Sequence, residues 1–336
     1  MGMLEVRGLA RTFATKRGDV EAVRGVDFDV SAGEIVGFLG PNGAGKTTTL
    51  RMLTTLLSPT AGTATVAGHD LRREPGRVRR RIGYVSQTGG VDLTLPVGEE
   101  LTAQGGFYGL SGARARERAG ELAKRLGLDG LEERTIITLS GGQRRRLDIA
   151  LGLVHRPALL FLDEPSTGLD PQSRAGLWDH IRALRAEDGM TVFCTTHYLD
   201  EADALCDRVL IIDDGRIIAA GTPSELKRRV SGDAIEVEVP AAARETAETV
   251  LTRVAGVTSV TAATAGPPGP KAADGPAGDG EAGVVLRLAV ADGDRALSDV
   301  VLALNGAGVR PSSVRVARPA LDDVFLAVTG RSLRES

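Results

Sequence analysis

Residues 35–57 read IVGFLGPNGAGKTTTLRMLTTLL, a short apolar run followed by a glycine-rich segment and a stretch with helical character. Gly40–Thr47 fits the pattern G-x-x-x-x-G-K-[ST], in which backbone N–H groups converge on phosphate oxygens. A strand before it and a helix after it are the context that this pattern requires, and the helix N-terminus adds partial positive charge. The sequence therefore predicts a phosphate-binding loop in which Lys46 reaches the β- and γ-phosphates and the Thr47 hydroxyl binds Mg²⁺.

A second apolar run ends in two adjacent acids. Residues 158–165 read ALLFLDEP, so Asp163 and Glu164 close a predicted buried strand. Because side chains alternate in direction along a strand, the two carboxylates can take different tasks. We expect Asp163 to hold the Mg²⁺ shell and Glu164 to act as the general base toward the attacking water.

A third segment, LSGGQ at residues 139–143, precedes an arginine-rich helical run at 144–155. Ser140, together with the N–H groups of Gly141 and Gly142, predicts a second anion-binding site at a helix start. One chain then carries two phosphate-binding surfaces.

The order of these motifs resembles the nucleotide-binding subunits of ATP-binding cassette (ABC) transporters, over roughly residues 3–230. The resemblance implies an α/β fold of the P-loop NTPase class, a RecA-like core with a helical subdomain at about 89–150. Gln87 in YVSQ matches the glutamine that touches Mg²⁺ and the nucleophilic water, His197 matches the switch histidine, and Phe13 matches the aromatic that stacks on adenine.

The resemblance implies three sets of site residues. The catalytic set is Lys46, Gln87, Glu164 and His197. The metal set is Thr47, Gln87 and Asp163. The ATP-binding set is Phe13, Gly40, Pro41, Asn42, Gly43, Ala44, Gly45, Lys46, Thr47, Thr48, Ser140, Gly141, Gly142 and Gln143.

The partners follow from the same resemblance. In ABC subunits the LSGGQ segment of one copy covers ATP held by the phosphate-binding loop of another, which implies a homodimer with a head-to-tail ATP sandwich. Thr167–Asp170 matches the loop that makes contacts across that dimer. Hydrolysis would separate the two subunits, and Gln87 with residues of about 89–130 would pass that motion to an integral membrane permease.

The C-terminal segment at 318–330, RPALDDVFLAVTG, resembles the ending of ATP-binding subunits of the daunorubicin/doxorubicin-resistance type, which power exporters through a separate permease. It implies export of a drug, antibiotic or lipid-like substrate. Some of these subunits carry glutamine where this chain has His197, so an anthracycline substrate is not implied. An importer subunit and a soluble ABC ATPase acting on ribosomes or DNA are the alternatives.

Composition limits the remaining classes. The net charge of −3 provides no basic field for nucleic acid or anionic lipid. No apolar run approaches the roughly 18 to 20 residues of a transmembrane helix, and the N-terminus lacks a signal-peptide pattern. We therefore expect no nucleic-acid partner and no direct membrane insertion, but a peripheral subunit at the cytoplasmic face of a bacterial cell membrane.

The chain has 336 residues, more than one ordinary domain of about 100–200 residues needs. Short β-rich runs alternate with helical stretches in the first 230 residues, which predicts a largely parallel sheet in an ABC nucleotide-binding domain at 1–230. The remainder, 231–336, predicts a small α+β domain of βαβ-βαβ order. An Ala-, Gly- and Pro-rich segment at 262–283 predicts a flexible loop within it.

Overall fold

The computed structural model describes residues 2–16, 18–230, 233–263, 283–290, 292–317 and 320–330. Within these ranges the chain divides into two compact units. The first runs to Pro223 and also takes the residues from Val328 onward, and the second is Ser224–Ala327. The second unit therefore begins seven residues before the predicted boundary at 230/231, because residues 224–230 group with it. Most of the predicted flexible loop, residues 264–282, lies outside the described residues.

The strands are β1 (Gly2–Thr15), β2 (Gly18–Ser31), β3 (Ile35–Leu39), β4 (Ala61–Val66), β5 (His69–Asp70), β6 (Ile82–Val85), β7 (Leu159–Asp163), β8 (Thr191–Thr196), β9 (Arg208–Asp213), β10 (Arg216–Gly221), β11 (Ala234–Pro240), β12 (Val257–Ala263), β13 (Gly283–Val290) and β14 (Ser313–Ala317). The helices are α1 (Lys46–Leu53), α2 (Pro75–Arg81), α3 (Val97–Phe107), α4 (Gly112–Arg125), α5 (Gly141–Leu153), α6 (Pro171–Asp188), α7 (Leu199–Leu205), α8 (Pro223–Val230), α9 (Arg244–Leu251), α10 (Gly293–Gly306) and α11 (Leu321–Thr329). No helix within the described ranges is both long and apolar enough to cross a membrane.

The first unit is built on a six-stranded sheet in the order β10-β9-β3-β8-β7-β6. All neighbouring pairs are parallel except β9 and β10, which are antiparallel. Every residue of β3, β7 and β8 is buried, as expected for strands covered on both faces. The carboxyl ends of β3, β6, β7 and β8 share one edge of this sheet, where ligands bind in open α/β folds.

The prediction of alternating strands and helices is wrong for the N-terminal part of this unit. A second, antiparallel sheet lies there, in the order β2-β1-β4-β5. It is dominated by the long hairpin of β1 and β2. On β2 the buried residues Val26, Phe28 and Val30 alternate with exposed residues. This period of two is the ordinary mark of a half-buried antiparallel strand.

The second unit contains an antiparallel sheet in the order β12-β13-β11-β14. With α9 following β11 and α10 following β13, the chain order is βαββαβ, the split βαβ arrangement. Its core is formed by apolar residues of the sheet and of the two helices, among them Val237 and Leu288 on strands and Leu251 and Leu304 on helices.

Candidate nucleotide-binding and catalytic site

The phosphate-binding loop, Gly40–Thr47, connects the end of β3 to the start of α1. A Cβ atom at Gly40 would collide with the backbone oxygen of Ile212 on β9, so only glycine fits there. Gly43 and Gly45 have φ angles of 81° and 103°, in the left-handed region that glycine adopts at no steric cost. The loop is therefore shaped by its backbone.

Beside this loop lies a cleft of about 180 Å³, which we call the phosphate cleft. It is lined by Ala22, Asn42, Gly43, Gly45, Lys46, Thr47, Thr48, Gln87 and Glu164. Six of the residues predicted to bind ATP or catalyse its hydrolysis come from the loop and the first turn of α1. Gln87 and Glu164 enter the same cleft from the ends of β6 and β7.

Lys46 is folded back against its own loop. Its Nζ donates to the carbonyl oxygens of Gly40 at 2.7 Å and Pro41 at 3.0 Å, and lies 3.3 Å from Oε1 of Glu164. Burial lowers the pKa of Lys46, while the neighbouring carboxylates of Glu164 and Asp163 act in the opposite direction. The ammonium group thus contacts oxygens of its own loop and of Glu164. Phosphate oxygens at this position would be stronger acceptors than the backbone carbonyl groups.

Oxygen atoms that could bind a metal ion cluster at the end of β7. Oδ1 of Asp163 accepts hydrogen bonds from the hydroxyls of Thr47 at 3.1 Å and Thr195 at 2.7 Å. A carboxylate beside a hydroxyl, next to a cleft for phosphates, is the type of donor set that Mg²⁺ takes in nucleotide sites. Asp163 and Thr47 of the predicted metal set are therefore adjacent.

Glu164 is the meeting point of the predicted catalytic side chains. Its Oε2 accepts from Nε2 of Gln87 at 3.1 Å and from the hydroxyl of Thr167 at 3.2 Å, and lies 3.1 Å from Nδ1 of His197. Burial by itself raises the pKa of Glu164, but the contact with His197 and the charge of Lys46 outweigh burial and hold the pKa at about 2. The carboxyl group is ionised at neutral pH.

Thr195, which fixes the backbone of Glu164, is not among the site residues predicted from the sequence. The φ angle of Glu164 is 45°, in the left-handed region that non-glycine residues rarely adopt. Its N–H donates to both the carbonyl and the hydroxyl oxygen of Thr195, at 3.1 and 3.0 Å. A polar residue near the end of the fully buried strand β8 was the available signal, and Thr195 acts here as a positioning residue.

Ser140–Gln143 and Phe13 are not among the residues that line the phosphate cleft. Ser140 caps α5: its hydroxyl accepts from N–H of Gln143 at 3.2 Å, and its own N–H donates to the Gln143 side chain at 2.9 Å. Phe13 lies on β1 opposite Val20, with the Arg11 guanidinium 4.6 Å from its ring centroid. Within the described part of one chain, the cleft at the phosphate-binding loop is therefore not lined by the second predicted ATP-binding surface.

Asp148 on α5 is a buried carboxyl group near this site. Burial raises its pKa from 3.8 to about 6, although the charges of Arg145 and Arg144 oppose the shift. Oδ2 of Asp148 is 3.8 Å from the Arg145 guanidinium, and both side chains are about nine-tenths buried. The folded protein therefore binds this proton more tightly than the unfolded chain does.

We expect the contribution of Asp148 to the free energy of unfolding to be highest below about pH 4. This contribution should fall as the pH rises through about 6. The shift corresponds to at most about 3 kcal/mol. Asp148→Asn should remove this loss, so its stability relative to wild type should be greater at pH 8 than at pH 5 in urea unfolding. Asp179→Asn, at an exposed position on α6, is the control; equal pH dependence in both variants would contradict the assignment.

The chain is similar to known proteins of one family. The family model described as "ABC transporter" matches residues 23–167. The daunorubicin/doxorubicin resistance ATP-binding protein of Streptomyces peucetius is 44% identical, over 97% of this chain and 92% of that protein. The Nod factor export ATP-binding protein I of Ralstonia nicotianae is 42% identical, over 70% of this chain and 72% of that protein.

Among solved structures, an ATP-binding cassette dimer in a post-hydrolysis state, bound to ADP and Pi, is similar with a TM-score of 0.61. It is 27% identical, and the match covers 66% of this chain and 98% of that one. The predicted fold class, a P-loop cassette with an added α+β domain, is confirmed. The chain belongs to the ABC transporter family, as an ATP-binding and ATP-hydrolysing cassette.

Proposed function

We propose that the chain powers the export of a drug, antibiotic or lipid-like molecule through a separate integral membrane permease, at the cytoplasmic face of a bacterial cell membrane. The observation that carries the ATPase mechanism is the convergence of Lys46, Gln87 and His197 on one carboxylate, Glu164. The similarity to a drug-resistance subunit and to an export subunit supports the direction of transport.

ATP binding would begin with an exchange of partners at Lys46. Phosphate oxygens replace the carbonyl oxygens of Gly40 and Pro41 as acceptors, and a charge-assisted hydrogen bond to phosphate is stronger than one to a neutral carbonyl. The N–H groups of the loop and the N-terminus of α1 supply further donors. Lys46 then shares its charge between Glu164 and the nucleotide.

The metal set fits Mg²⁺, because a hydroxyl oxygen of Thr47 and a carboxylate oxygen of Asp163 lie 3.1 Å apart at the phosphate-binding loop. Bound there with Gln87, the ion would neutralise charge on the β- and γ-phosphates. Thr195 would hold the Asp163 carboxylate in place through its 2.7 Å hydrogen bond.

Hydrolysis needs a water molecule that is both oriented and deprotonated. Glu164 would accept one water proton while the water oxygen bonds to the γ-phosphorus and the bond to the ADP oxygen breaks. Gln87 would orient the water, and His197 would contact the γ-phosphate from the end of β8. The left-handed backbone of Glu164, fixed by Thr195, aims the carboxylate into the cleft.

The complete site requires a second copy. Because Ser140–Gln143 lie outside the phosphate cleft of their own chain, they are available to cover ATP held by a partner in a head-to-tail homodimer. The similarity to a dimeric cassette with bound ADP and Pi supports this arrangement. Phe13 would stack on the adenine from β1.

Transport direction is tested with membrane vesicles that contain the native permease and this chain, the cassette facing the outside medium. ATP and Mg²⁺ should drive candidate compounds into the vesicle lumen, away from the cassette, and the compounds should stimulate ATP hydrolysis. Vesicles carrying Glu164→Gln serve as the control. Accumulation on the cassette side would instead establish an importer.

A further inference from the structure

Arg145 is a buried arginine in the second turn of α5, and its guanidinium contacts three backbone carbonyl groups. Nε donates to the Pro165 oxygen at 2.8 Å, one terminal nitrogen donates to the Asp163 oxygen at 2.9 Å, and the other donates to the Ser86 oxygen at 2.6 Å. The side chain is 8% exposed. The adjacent Arg144 and Arg146 are only partly buried and make longer contacts to other segments.

The three acceptors belong to the catalytic segments. Asp163 and Pro165 flank Glu164, so the guanidinium fixes the carbonyl groups on both sides of the proposed base. Ser86 directly precedes Gln87, which donates to the Glu164 carboxylate. A planar guanidinium presents its donors in a rigid fork, so the relative position of the two loops follows the position of Arg145.

The helix that carries Arg145 begins at the second phosphate-binding surface. Ser140 caps α5 five residues earlier, and the capping box joins Ser140 and Gln143 to the first turn. Because the backbone hydrogen bonds of a helix make it move as one body over so short a length, a displacement of Ser140 reaches Arg145. α5 thus links the anion-binding helix start to the loops that hold Glu164 and Gln87.

We propose that Arg145 is a positioning residue that makes hydrolysis at the phosphate cleft of one chain depend on nucleotide contacted by Ser140–Gln143 of the same chain. This inference rests on the head-to-tail dimer of the proposed function. In that dimer the nucleotide under Ser140 belongs to the partner's cleft, so each Arg145 connects the two ATP sites. When the dimer closes on the nucleotide under Ser140, α5 takes its final position. Arg145 then aligns Glu164 and Gln87 with the nucleotide in the phosphate cleft of its own chain.

A buried arginine could also serve the fold alone, and the chain offers a matched control for that case. Arg118 on α4 is equally buried, and its guanidinium donates to the carbonyl oxygens of Leu153 at 2.8 Å and Val154 at 3.3 Å. These contacts lie at the opposite end of α5. Loss of stability alone should therefore affect Arg118→Gln and Arg145→Gln alike, whereas loss of positioning should affect only Arg145.

The test compares full-length wild type, Arg145→Gln, Arg145→Lys and Arg118→Gln. For each we would measure the melting temperature, the Kd of a fluorescent ATP analogue, kcat, and the Hill coefficient for ATP in steady-state hydrolysis. Both Arg145 variants should lose at least about tenfold in kcat, because misplacing a catalytic group by about 1 Å costs up to about 100-fold. Their Kd should stay within about twofold of wild type, and their Hill coefficient should fall toward about 1.

Arg145→Lys keeps the charge and most of the volume, and it decides the matter if Arg145→Gln does not fold. Wild-type kcat and cooperativity in Arg145→Lys would overturn the inference, as would an equal loss of kcat in Arg118→Gln. Non-cooperative hydrolysis by the wild type would overturn the inference about Arg145 but would leave the proposed ATPase function standing. A wild type that does not hydrolyse ATP would overturn the proposed function as well.

Discussion

Glu164→Gln is expected to lower kcat for ATP hydrolysis by about 10²- to 10⁴-fold, the range that a positioned general base contributes. Glutamine has nearly the same size and keeps a side-chain oxygen as an acceptor for Gln87 and Thr167. It cannot take a proton from water. The neutral amide also removes a negative charge beside the γ-phosphate, so ATP affinity should be retained and the nucleotide-bound dimer should accumulate.

Single-turnover hydrolysis measures the chemical step, and size-exclusion chromatography with ATP measures the dimer. Glu187→Gln is the matched control, because it makes the same change at an exposed carboxylate on α6 that pairs with Arg125. The control should behave like wild type in both measurements. Near wild-type hydrolysis by Glu164→Gln would show that another group is the base.

The parts of the site that follow from local sequence could be predicted. A strand, a glycine-rich loop and a helix are contiguous along the chain, so the phosphate-binding loop at 40–47 and its lysine could be predicted from the local sequence. The apolar runs before the phosphate-binding loop and before Asp163 predicted strands, and the structure has the strands Ile35–Leu39 and Leu159–Asp163 there. Since parallel strands place their carboxyl ends on one edge, the approach of Glu164 to Lys46 follows from the topology.

The parts that depend on long-range packing could not. The three acceptors of Arg145 lie 18 to 59 positions away along the chain, and nothing in an arginine-rich helical run distinguishes the buried arginine from its neighbours. The same holds for Thr195, which reaches Asp163 and Glu164 across two adjacent strands. The N-terminal hairpin differs from these cases, because the alternation of buried and exposed residues on β2 is visible in the local sequence. Alternation along one strand does not show which strand pairs with it.

The resting state of Lys46 has a further consequence for nucleotide binding. In the absence of phosphate its ammonium group satisfies two loop carbonyls and one buried carboxylate. Removal of the lysine therefore takes away a strong donor to the phosphate. It also removes one of the two groups, Lys46 and His197, that lie next to the Glu164 carboxylate. With less compensation, this carboxylate would repel the γ-phosphate more strongly, so both effects act against ATP.

Lys46→Ala should therefore weaken the binding of a fluorescent ATP analogue by about 10- to 100-fold, since a hydrogen bond to a charged group contributes about 1.5–3 kcal/mol. Lys124→Ala, at an exposed position on α4, removes the same charge far from the loop and should leave Kd unchanged. The double variant Lys46→Ala with Glu164→Gln separates the two effects. If repulsion from Glu164 contributes, the second substitution recovers part of the affinity, and the part that is not recovered measures the contact between Lys46 and phosphate. Unchanged affinity in Lys46→Ala would contradict the assignment of this loop to phosphate binding.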